Sequence, residues 1–341
     1  MKNFKRVLAL VLVLAFAYSF VACSNAKQDN TTAKQETSAV STEAPSTAAK
    51  DTAAADTGKK IVIGMTMNTL NNPFFVDVTE GAKKAAADNG VELIITDAQN
   101  QASKQQTDIE NLLQKNLSLL IVDPSDSDAI VAGVEAANNK NVPVITIDRA
   151  SNGGQVISHI GFDAIKSGNI AGEFIAKTLG GKGKVVELQG IMGTNVAQDR
   201  SKGFNQIMAK NPNIKIVAKQ SADFDRAKAM QVMENILQAN PEIDGVYAAN
   251  DEMAMGALEA IKAAGRVDKI KMIGTDAIDP ALEAIRNNQL AATIAEPPFF
   301  LGKAAIETAL KIIKGEKVEK SVILDSNLVT KDNVDSIKTR D

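Results

Sequence analysis

Several residue types are scarce in this chain of 341 residues, which contains no tryptophan, one cysteine and one histidine. The single histidine, His159, excludes a histidine-based metal site or a conventional Ser-His-Asp triad formed by this chain alone. The single cysteine, Cys23, excludes an intrachain disulfide bond. The net charge of −3, with both signs mixed, gives no electrostatic argument for a nucleic-acid partner.

Sequence motifs for cofactors are also missing. No G-x-G-x-x-G follows a predicted strand, so a dinucleotide site is not expected. The glycine-rich run at 180–184 lacks the spacing of a phosphate-binding loop and precedes a strand, so we interpret it as a connecting loop. We therefore expect no cofactor and no metal ion. Aspartate and glutamate are plentiful, so the residue inventory leaves a carboxylate-only glycosidase open, although no spacing favours one.

The N-terminus has the pattern of an export signal. Lys2, Lys5 and Arg6 form a basic region, and Val7–Phe20 is an apolar run too short to span a membrane comfortably. Residues 1–22 are therefore predicted to be a signal peptide.

Cys23 comes directly after this signal. The sequence at 20–23 (FVAC) resembles the bacterial lipobox, which implies that Cys23 carries a lipid and becomes the new N-terminus; the alternative is an ordinary signal peptide followed by a stray cysteine. Residues 23–59 are rich in Ala, Thr, Ser, Lys, Asp and Gln, and such a segment cannot bury enough apolar surface to fold. We interpret it as a disordered tether from the membrane to the folded part.

From residue 61 onward, apolar strand-like runs alternate with amphipathic helical segments, which indicates parallel sheets covered on both faces. The predicted strands are 61–67, 91–96, 118–122, 143–147, 184–189, 214–219, 244–248, 270–274 and 291–295. The predicted helices are 74–89, 103–116, 126–140, 164–179, 196–210, 224–239, 251–264, 278–288 and 299–314. Nine strands exceed what one sheet of this size usually holds, so we predict two doubly wound α/β lobes.

Polar, charged and aromatic residues follow these strands in both halves of the chain. Ligands bind at the carboxyl ends of strands in such folds. Aromatic rings can stack on the faces of a sugar, while Arg, Asp and Asn match its vicinal hydroxyls. Helix capping or core packing is the simpler explanation for any one of these residues, but the same placement recurs in many loops.

These loops resemble those of bacterial ribose-binding proteins, the type I periplasmic solute receptors of sugar ABC transporters. The segments that carry the resemblance are 69–75 (TLNNPFF), 142–149 (VPVITIDR), 222–226 (ADFDR), 249–254 (ANDEMA) and 291–295 (AATIA). The resemblance runs from about Lys60 to near the C-terminus. It implies two lobes joined by three crossovers, one comprising 61–162 with 297–325 and the other 163–296 with 326–341.

The resemblance also implies a set of ligand-binding residues. Phe74, Phe75 and Phe224 would stack on the sugar, and polar side chains from both lobes would bind its hydroxyls. The polar set is Asn72, Asp148, Arg149, Arg200, Asn250 and Asp276.

Two further predicted site residues depart from the ribose pattern. Glu296 stands where ribose receptors have glutamine, and Asn68 stands where they have serine. An ionised glutamate only accepts hydrogen bonds, so a buried Glu296 needs a donor, either a site arginine or a ligand hydroxyl. The ligand is therefore expected to be a monosaccharide, with ribose, another pentose, a ketose, a polyol or a furanose-like signal molecule all open.

The implied protein is a monomeric, non-enzymatic, extracytoplasmic lipoprotein that delivers sugar to a permease and ATPase complex. One alternative is a surface sensor that presents the sugar to a chemoreceptor or a histidine kinase. A lipid-anchored carbohydrate-active enzyme is another. A transcription regulator with the same sugar-binding core is disfavoured by the export signal and by the lack of a helix-turn-helix before Ile61.

Overall fold

The structure is a computed structural model that describes residues 60–340. The predicted signal peptide, the lipid site at Cys23 and the tether lie outside the described residues. Within residues 60–340, the helices are all too short or too polar to cross a membrane.

Two six-stranded sheets form the centres of two lobes. The first sheet contains β1 (Val62–Met67), β2 (Glu92–Asp97), β3 (Leu119–Val122), β4 (Val144–Ile147), β5 (Ser158–Phe162) and β11 (Ser321–Leu324). Its strands lie in the order β11-β5-β4-β3-β1-β2, and all neighbours are parallel.

The second sheet has the same layout. It contains β6 (Gly183–Gln189), β7 (Ile214–Ser221), β8 (Gly245–Ala248), β9 (Lys271–Ile273), β10 (Ala292–Ala295) and β12 (Asn327–Thr330). Its order is β12-β10-β9-β8-β6-β7, and β12 is antiparallel to β10 while the other pairs are parallel.

Helices cover both faces of each sheet. Those of the first lobe are α1 (Pro73–Asp88), α2 (Ala102–Leu112), α3 (Val131–Asn139) and α9 (Pro298–Ile313). Those of the second are α4 (Ala164–Thr178), α5 (Asn195–Lys210), α6 (Arg226–Ala239), α7 (Asp251–Ala263) and α8 (Asp279–Arg286), followed near the C-terminus by a 3₁₀ turn at Val334–Ser336. The predicted α/β class with two parallel-sheet lobes is confirmed.

The central strands are buried on both faces, as parallel sheets require. In β3, Leu119 and Ile121 pack into the apolar cluster beneath α1 and α9. Leu120 and Val122 point the other way, into the cluster that includes residues of α2 and α3. This double burial fixes the register of the strands and hence the positions of the loops at their carboxyl ends.

The chain passes between the two sheets three times. The passages lie between β5 and α4, between β10 and α9, and between β11 and β12. We refer to the residues of these passages, 163, 296–297 and 325–326, as the hinge. We propose 61–162 with 297–325 and 163–296 with 326–341 as the two lobes.

The strands β5, β11 and β12 were not predicted from the sequence. Strand β5 carries Ser158, His159 and Gly161, so its apolar pattern is broken. The His159 ring is largely buried, with Nδ1 3.0 Å from the Thr146 hydroxyl. Burial lowers the pKa of His159 to about 4, so its imidazole is neutral at pH 7.

The predicted helix at 126–140 was too long at its N-terminal end. The helix begins at Val131, because the residues before it form turns. The Asp126 carboxylate accepts hydrogen bonds from the backbone amides of Asp128 and Ala129, at 3.0 and 2.8 Å. These bonds hold the segment in a loop that faces the other lobe.

Candidate ligand-binding site

A cavity lies between the lobes, at the carboxyl ends of strands from both sheets. The first lobe contributes Asn72, Phe74, Phe75, Asp148 and Arg149, and the second contributes Val196, Arg200, Phe224, Asn250 and Asp276. The cavity has a volume of about 20 Å³, enough for about one water molecule. A larger ligand can therefore enter only when the lobes or these side chains move apart.

Two asparagines, one from each lobe, occupy equivalent positions at the starts of helices. Asn72 caps α1, and its Oδ1 accepts from the amide of Phe74 at 2.9 Å. Asn250 caps α7, and its Oδ1 accepts from the amide of Met253 at 3.0 Å. In each case the side-chain oxygen accepts a hydrogen bond from a helix amide. The side-chain NH₂ group is therefore left to donate to a ligand.

Arg149 is buried among groups from both lobes. Its Cζ lies 5.3 Å from the ring centroid of Phe75 and 5.5 Å from that of Phe224. Its Nη1 donates to the carbonyl of Pro124 at 3.2 Å. The two aromatic rings and this carbonyl hold the guanidinium in a fixed orientation at the cavity wall.

The loop that holds Arg149 is itself fixed by a buried glutamine of α2. Gln105 Nε2 donates to the Asp123 carbonyl at 2.7 Å, and its Oε1 accepts from the Ser125 amide at 2.8 Å. The amide group of Gln105 therefore clamps the backbone on both sides of Pro124, the residue whose carbonyl accepts from Arg149.

Arg200 is the corresponding buried arginine of the second lobe. Its Nη1 donates to the Ala249 carbonyl at 2.8 Å, and its Nη2 contacts Glu296 and lies 3.5 Å from Asp276. Its helix α5 packs closely on α4, because a Cβ atom at Gly168 would lie 2.1 Å from the Arg200 carbonyl oxygen. The absence of a side chain at Gly168 thus permits the close contact between α4 and α5, the helix that carries Arg200.

The cavity also contains two buried carboxylates. Burial raises the pKa of Asp148 although Arg149 and Arg200 oppose this, and burial raises that of Asp276 well above its usual range although Arg200 opposes it. Asp148, Phe224 and Asp276 have positive φ angles of 54°, 60° and 122°. Such conformations are costly for residues other than glycine, and they concentrate at functional sites.

The arrangement suits a ligand rich in hydroxyl groups. The asparagine NH₂ groups and the arginines donate hydrogen bonds, while Asp148 and Asp276 accept them when ionised. A hydroxyl both donates and accepts, so neighbouring hydroxyls on one small ring can satisfy both kinds of group. Within residues 60–340, there is no group of three or more His, Cys, Asp and Glu side chains that could hold a metal ion.

Nine of the eleven predicted site residues line the cavity, and the other two lie behind the lining. Asn68 is fully buried, and its Oδ1 contacts the neighbouring amide of Thr69. Glu296 is fully buried against Arg200. Val196 lines the cavity but was not predicted, because an apolar residue in the first turn of a helix gives no polar signal; its position four residues before Arg200 was the only clue.

Contacts outside the cavity also join the lobes. The amide of Ser127 donates to the Gly193 carbonyl at 3.0 Å, and the amide of Asn195 donates to the Ser127 hydroxyl at 3.2 Å. The amide of Ala150 donates to Asn195 Oδ1 at 2.8 Å. These bonds need the lobes to be close together, so the structure represents a closed arrangement.

Comparison with known proteins gives a consistent result. Residues 63–317 match the family described as periplasmic binding protein domain. The ribose import binding protein RbsB of Escherichia coli is 43% identical over 272 residues, which cover 80% of this chain and 91% of that protein. RbsB of Bacillus subtilis is 45% identical over 272 residues, which cover 80% of this chain and 88% of that protein.

A solved structure has the same fold. The ABC transporter solute binding protein from Bacillus halodurans, crystallised with myo-inositol, has a TM-score of 0.79 and 33% sequence identity. The match covers 82% of this chain and 98% of that protein.

Proposed function

We propose a sugar-receptor function for this chain, which belongs to the periplasmic binding protein family. It is the ribose-like, sugar-binding component of an ABC transporter, and it closes two lobes around one small sugar. The observation that carries this proposal is the convergence of a capping asparagine, an arginine and an aspartate from each lobe on one cavity.

The ligand class follows from the groups that line the cavity. The lining combines hydrogen-bond donors, acceptors and aromatic rings, so a monosaccharide or a cyclic polyol satisfies the site better than an apolar or a strongly charged ligand. The relatives from E. coli and B. subtilis are named as ribose import binding proteins, and the relative from B. halodurans was crystallised with bound myo-inositol. Both compounds are therefore the first to test.

Binding and closure are coupled in this proposal. A sugar contacts both halves of the lining only when the lobes are together, so it binds the closed form better and shifts the population toward it. The closed receptor then delivers its sugar to a permease and ATPase complex and leaves the sugar chemically unchanged.

The export signal and the lipobox-like segment support an extracytoplasmic protein attached to a membrane through Cys23. A lipid on Cys23 would keep the receptor near its transporter. Residues 24–59 would set the distance that the folded part can extend from the membrane. We propose that the receptor acts as a monomer, because the two lobes of one chain already supply a capping asparagine, an arginine and an aspartate each to the cavity.

A thermal-shift screen of pentoses, hexoses, polyols and nucleosides tests the proposal, with calorimetry on each hit. A ligand at about 100 times its dissociation constant should stabilise the fold by roughly 2.7 kcal/mol. The ligand should be recovered unchanged after incubation. If no sugar or polyol stabilises the protein, or if the sugar is converted, the proposed function is wrong.

A further inference from the structure

The carboxylate of Glu296 contacts residues associated with all three hinge passages. Glu296 itself is in the second passage, directly after β10. Its Oε1 accepts hydrogen bonds from the hydroxyls of Ser167 and Ser326, the latter at 3.0 Å. Ser326 is in the third passage, and Ser167 is in the first turn of α4, directly after the first passage.

Ser167 also connects this cluster to the start of α4. Its hydroxyl lies 3.1 Å from the carbonyl of Asp163, the residue of the first passage, and 3.3 Å from the hydroxyl of Ser326. We call Ser167, Glu296 and Ser326 the hinge cluster. All three residues are buried, so their hydrogen bonds are shielded from competition with water.

The other carboxylate oxygen of Glu296 contacts a residue of the cavity. Oε2 accepts from Nη2 of Arg200, whose guanidinium also lies beside Asp276. Both oxygens of Glu296 are thus occupied, and the cavity lining does not include this residue.

We propose that Glu296 is a positioning residue that couples Arg200 to the hinge, so that the hinge cluster favours the closed arrangement when sugar occupies the cavity. The proposal depends on the sugar-receptor function above. The hinge cluster and Arg200 lie on the second-lobe side of the three passages, and the cluster ties the ends of these passages together. Opening the lobes changes backbone dihedrals in the passages, including those at Glu296 and Ser326, so the tied ends fit only some hinge angles. A contact that is stronger in the closed form raises the population of that form. It therefore raises sugar affinity although it does not involve the sugar.

Single hydroxyl deletions at the hinge test the coupling. Ser326→Ala and Ser167→Ala each remove one hydrogen bond to a charged group and should weaken sugar affinity by about 5- to 30-fold. Because the sugar contacts themselves are intact, the change should appear mainly as faster dissociation. Ser326→Thr keeps the hydroxyl and should restore most of the affinity.

Ser201→Ala is the matched control. Ser201 is also a buried serine of the second lobe, it is adjacent to Arg200 in sequence, and its hydroxyl accepts from Gln189 at 2.9 Å. Its hydrogen bonds among residues 60–340 do not involve the hinge. This variant should change sugar affinity by less than about 2-fold.

Two further measurements separate coupling from general destabilisation. In an Arg200→Lys background, Ser326→Ala should weaken binding less than it does in the native chain, because the two residues act through one carboxylate. Small-angle scattering without sugar should show a larger mean radius of gyration for both serine-to-alanine hinge variants than for Ser201→Ala. The second measurement needs no ligand, so it tests the hinge cluster even if the sugar screen fails.

The coupling is wrong if the hinge variants match Ser201→Ala in affinity and in scattering. It is also wrong if the effects of Ser326→Ala and Arg200→Lys are additive. Failure of the sugar-receptor function would appear differently, as a native chain that binds none of the screened sugars.

Discussion

Arg149 of the first lobe lies against the ring of Phe224 in the second lobe, with its Cζ 5.5 Å from the ring centroid. The same guanidinium lies 5.3 Å from the ring of Phe75 in its own lobe. One charged group is therefore stacked between aromatic rings from both sides of the cleft. Opening the lobes would separate Arg149 from Phe224. This contact therefore stabilises the closed form, in addition to the stabilisation that the ligand provides.

Replacing Arg149 with alanine should weaken sugar binding by about 2–5 kcal/mol, because a buried charged donor to the sugar is lost. The fold should persist, since Arg149 lies at the cavity and not in either apolar core. Titration calorimetry gives the affinity, and circular dichroism checks the fold. Arg266→Ala is a suitable control, because Arg266 donates at 3.4 Å to the carbonyls of Asn240 and Ile243, outside the cavity. Equal affinities for the native chain and Arg149→Ala would remove Arg149 from the site.

Gln105 should affect sugar binding although it does not line the cavity. Gln105→Ala removes two hydrogen bonds to the loop that holds Arg149, and it should weaken affinity by about 1–2 kcal/mol. The control is Gln106→Ala in the same helix, a half-buried glutamine whose side chain donates to Glu110 at 3.0 Å and makes no hydrogen bond to the loop within residues 60–340. Calorimetry on the double variant with Arg149→Ala completes the measurement. If Gln105 acts by positioning Arg149, the two losses will be less than additive.

The resemblance to ribose-binding proteins predicted nine of the ten residues that line the cavity. The apolar periods of strands and helices agreed with it, since Asp148 and Asn250 each follow a predicted strand. The partners of these side chains could not be predicted in the same way. Glu296, for example, contacts Arg200, which lies 96 residues earlier in the chain, and no local pattern predicts such a partner.

Local pattern was also a poor guide to short or polar elements. Strand β5 was missed, because a serine, a histidine and a glycine interrupt its apolar run. It is nevertheless a central strand, between β4 and β11. Tertiary burial, rather than the intrinsic preference of these residues, places this segment in the sheet.

The stability of the protein should fall as the pH rises from about 4 to about 7, because buried carboxyl groups with raised pKa values outnumber the one buried group that acts in the opposite direction. Asp148, Asp251 and Asp276 have raised pKa values, whereas the lowered pKa of His159 makes stability rise with pH up to about 6.5. Burial raises the pKa of Asp251 to about 7, even though the Thr293 hydroxyl and the Ile278 amide donate to its carboxylate. Between the ordinary pKa of an aspartate and this raised value, the folded chain holds a proton that the unfolded chain has lost. The free energy of unfolding then decreases by up to about 1.4 kcal/mol per pH unit for one such group.

Urea denaturation at several pH values measures this slope. Asp251→Asn should flatten it, because the titrating group is removed, even if the variant is less stable at every pH. Asp88→Asn is the control, because it also removes one carboxylate, but from an exposed ion pair with Lys84 at 2.8 Å. A native chain whose stability rises from pH 5 to pH 7 would contradict the expected sign.

An ion pair near the C-terminus should stabilise the closed arrangement of the lobes. Arg340 follows the 3₁₀ turn of the second lobe, and its Nη2 lies 2.9 Å from both carboxylate oxygens of Asp77 in α1 of the first lobe. The side chains are 51% and 25% exposed, so the pair is partly screened by water and is expected to contribute about 0.2–1 kcal/mol. Arg340→Ala should therefore weaken sugar affinity by about 1.5- to 5-fold.

Salt provides an independent test of this ion pair. In the native chain its contribution to affinity should shrink as sodium chloride is raised, because exposed charges are screened. In Arg340→Ala the affinity should depend less on salt. The matched control is Arg286→Ala, because Arg286 Nε also contacts an aspartate, Asp335, at 2.8 Å, but both residues belong to the second lobe. If Arg286→Ala and Arg340→Ala change affinity and salt dependence equally, closing of the lobes does not depend on the pair between Arg340 and Asp77.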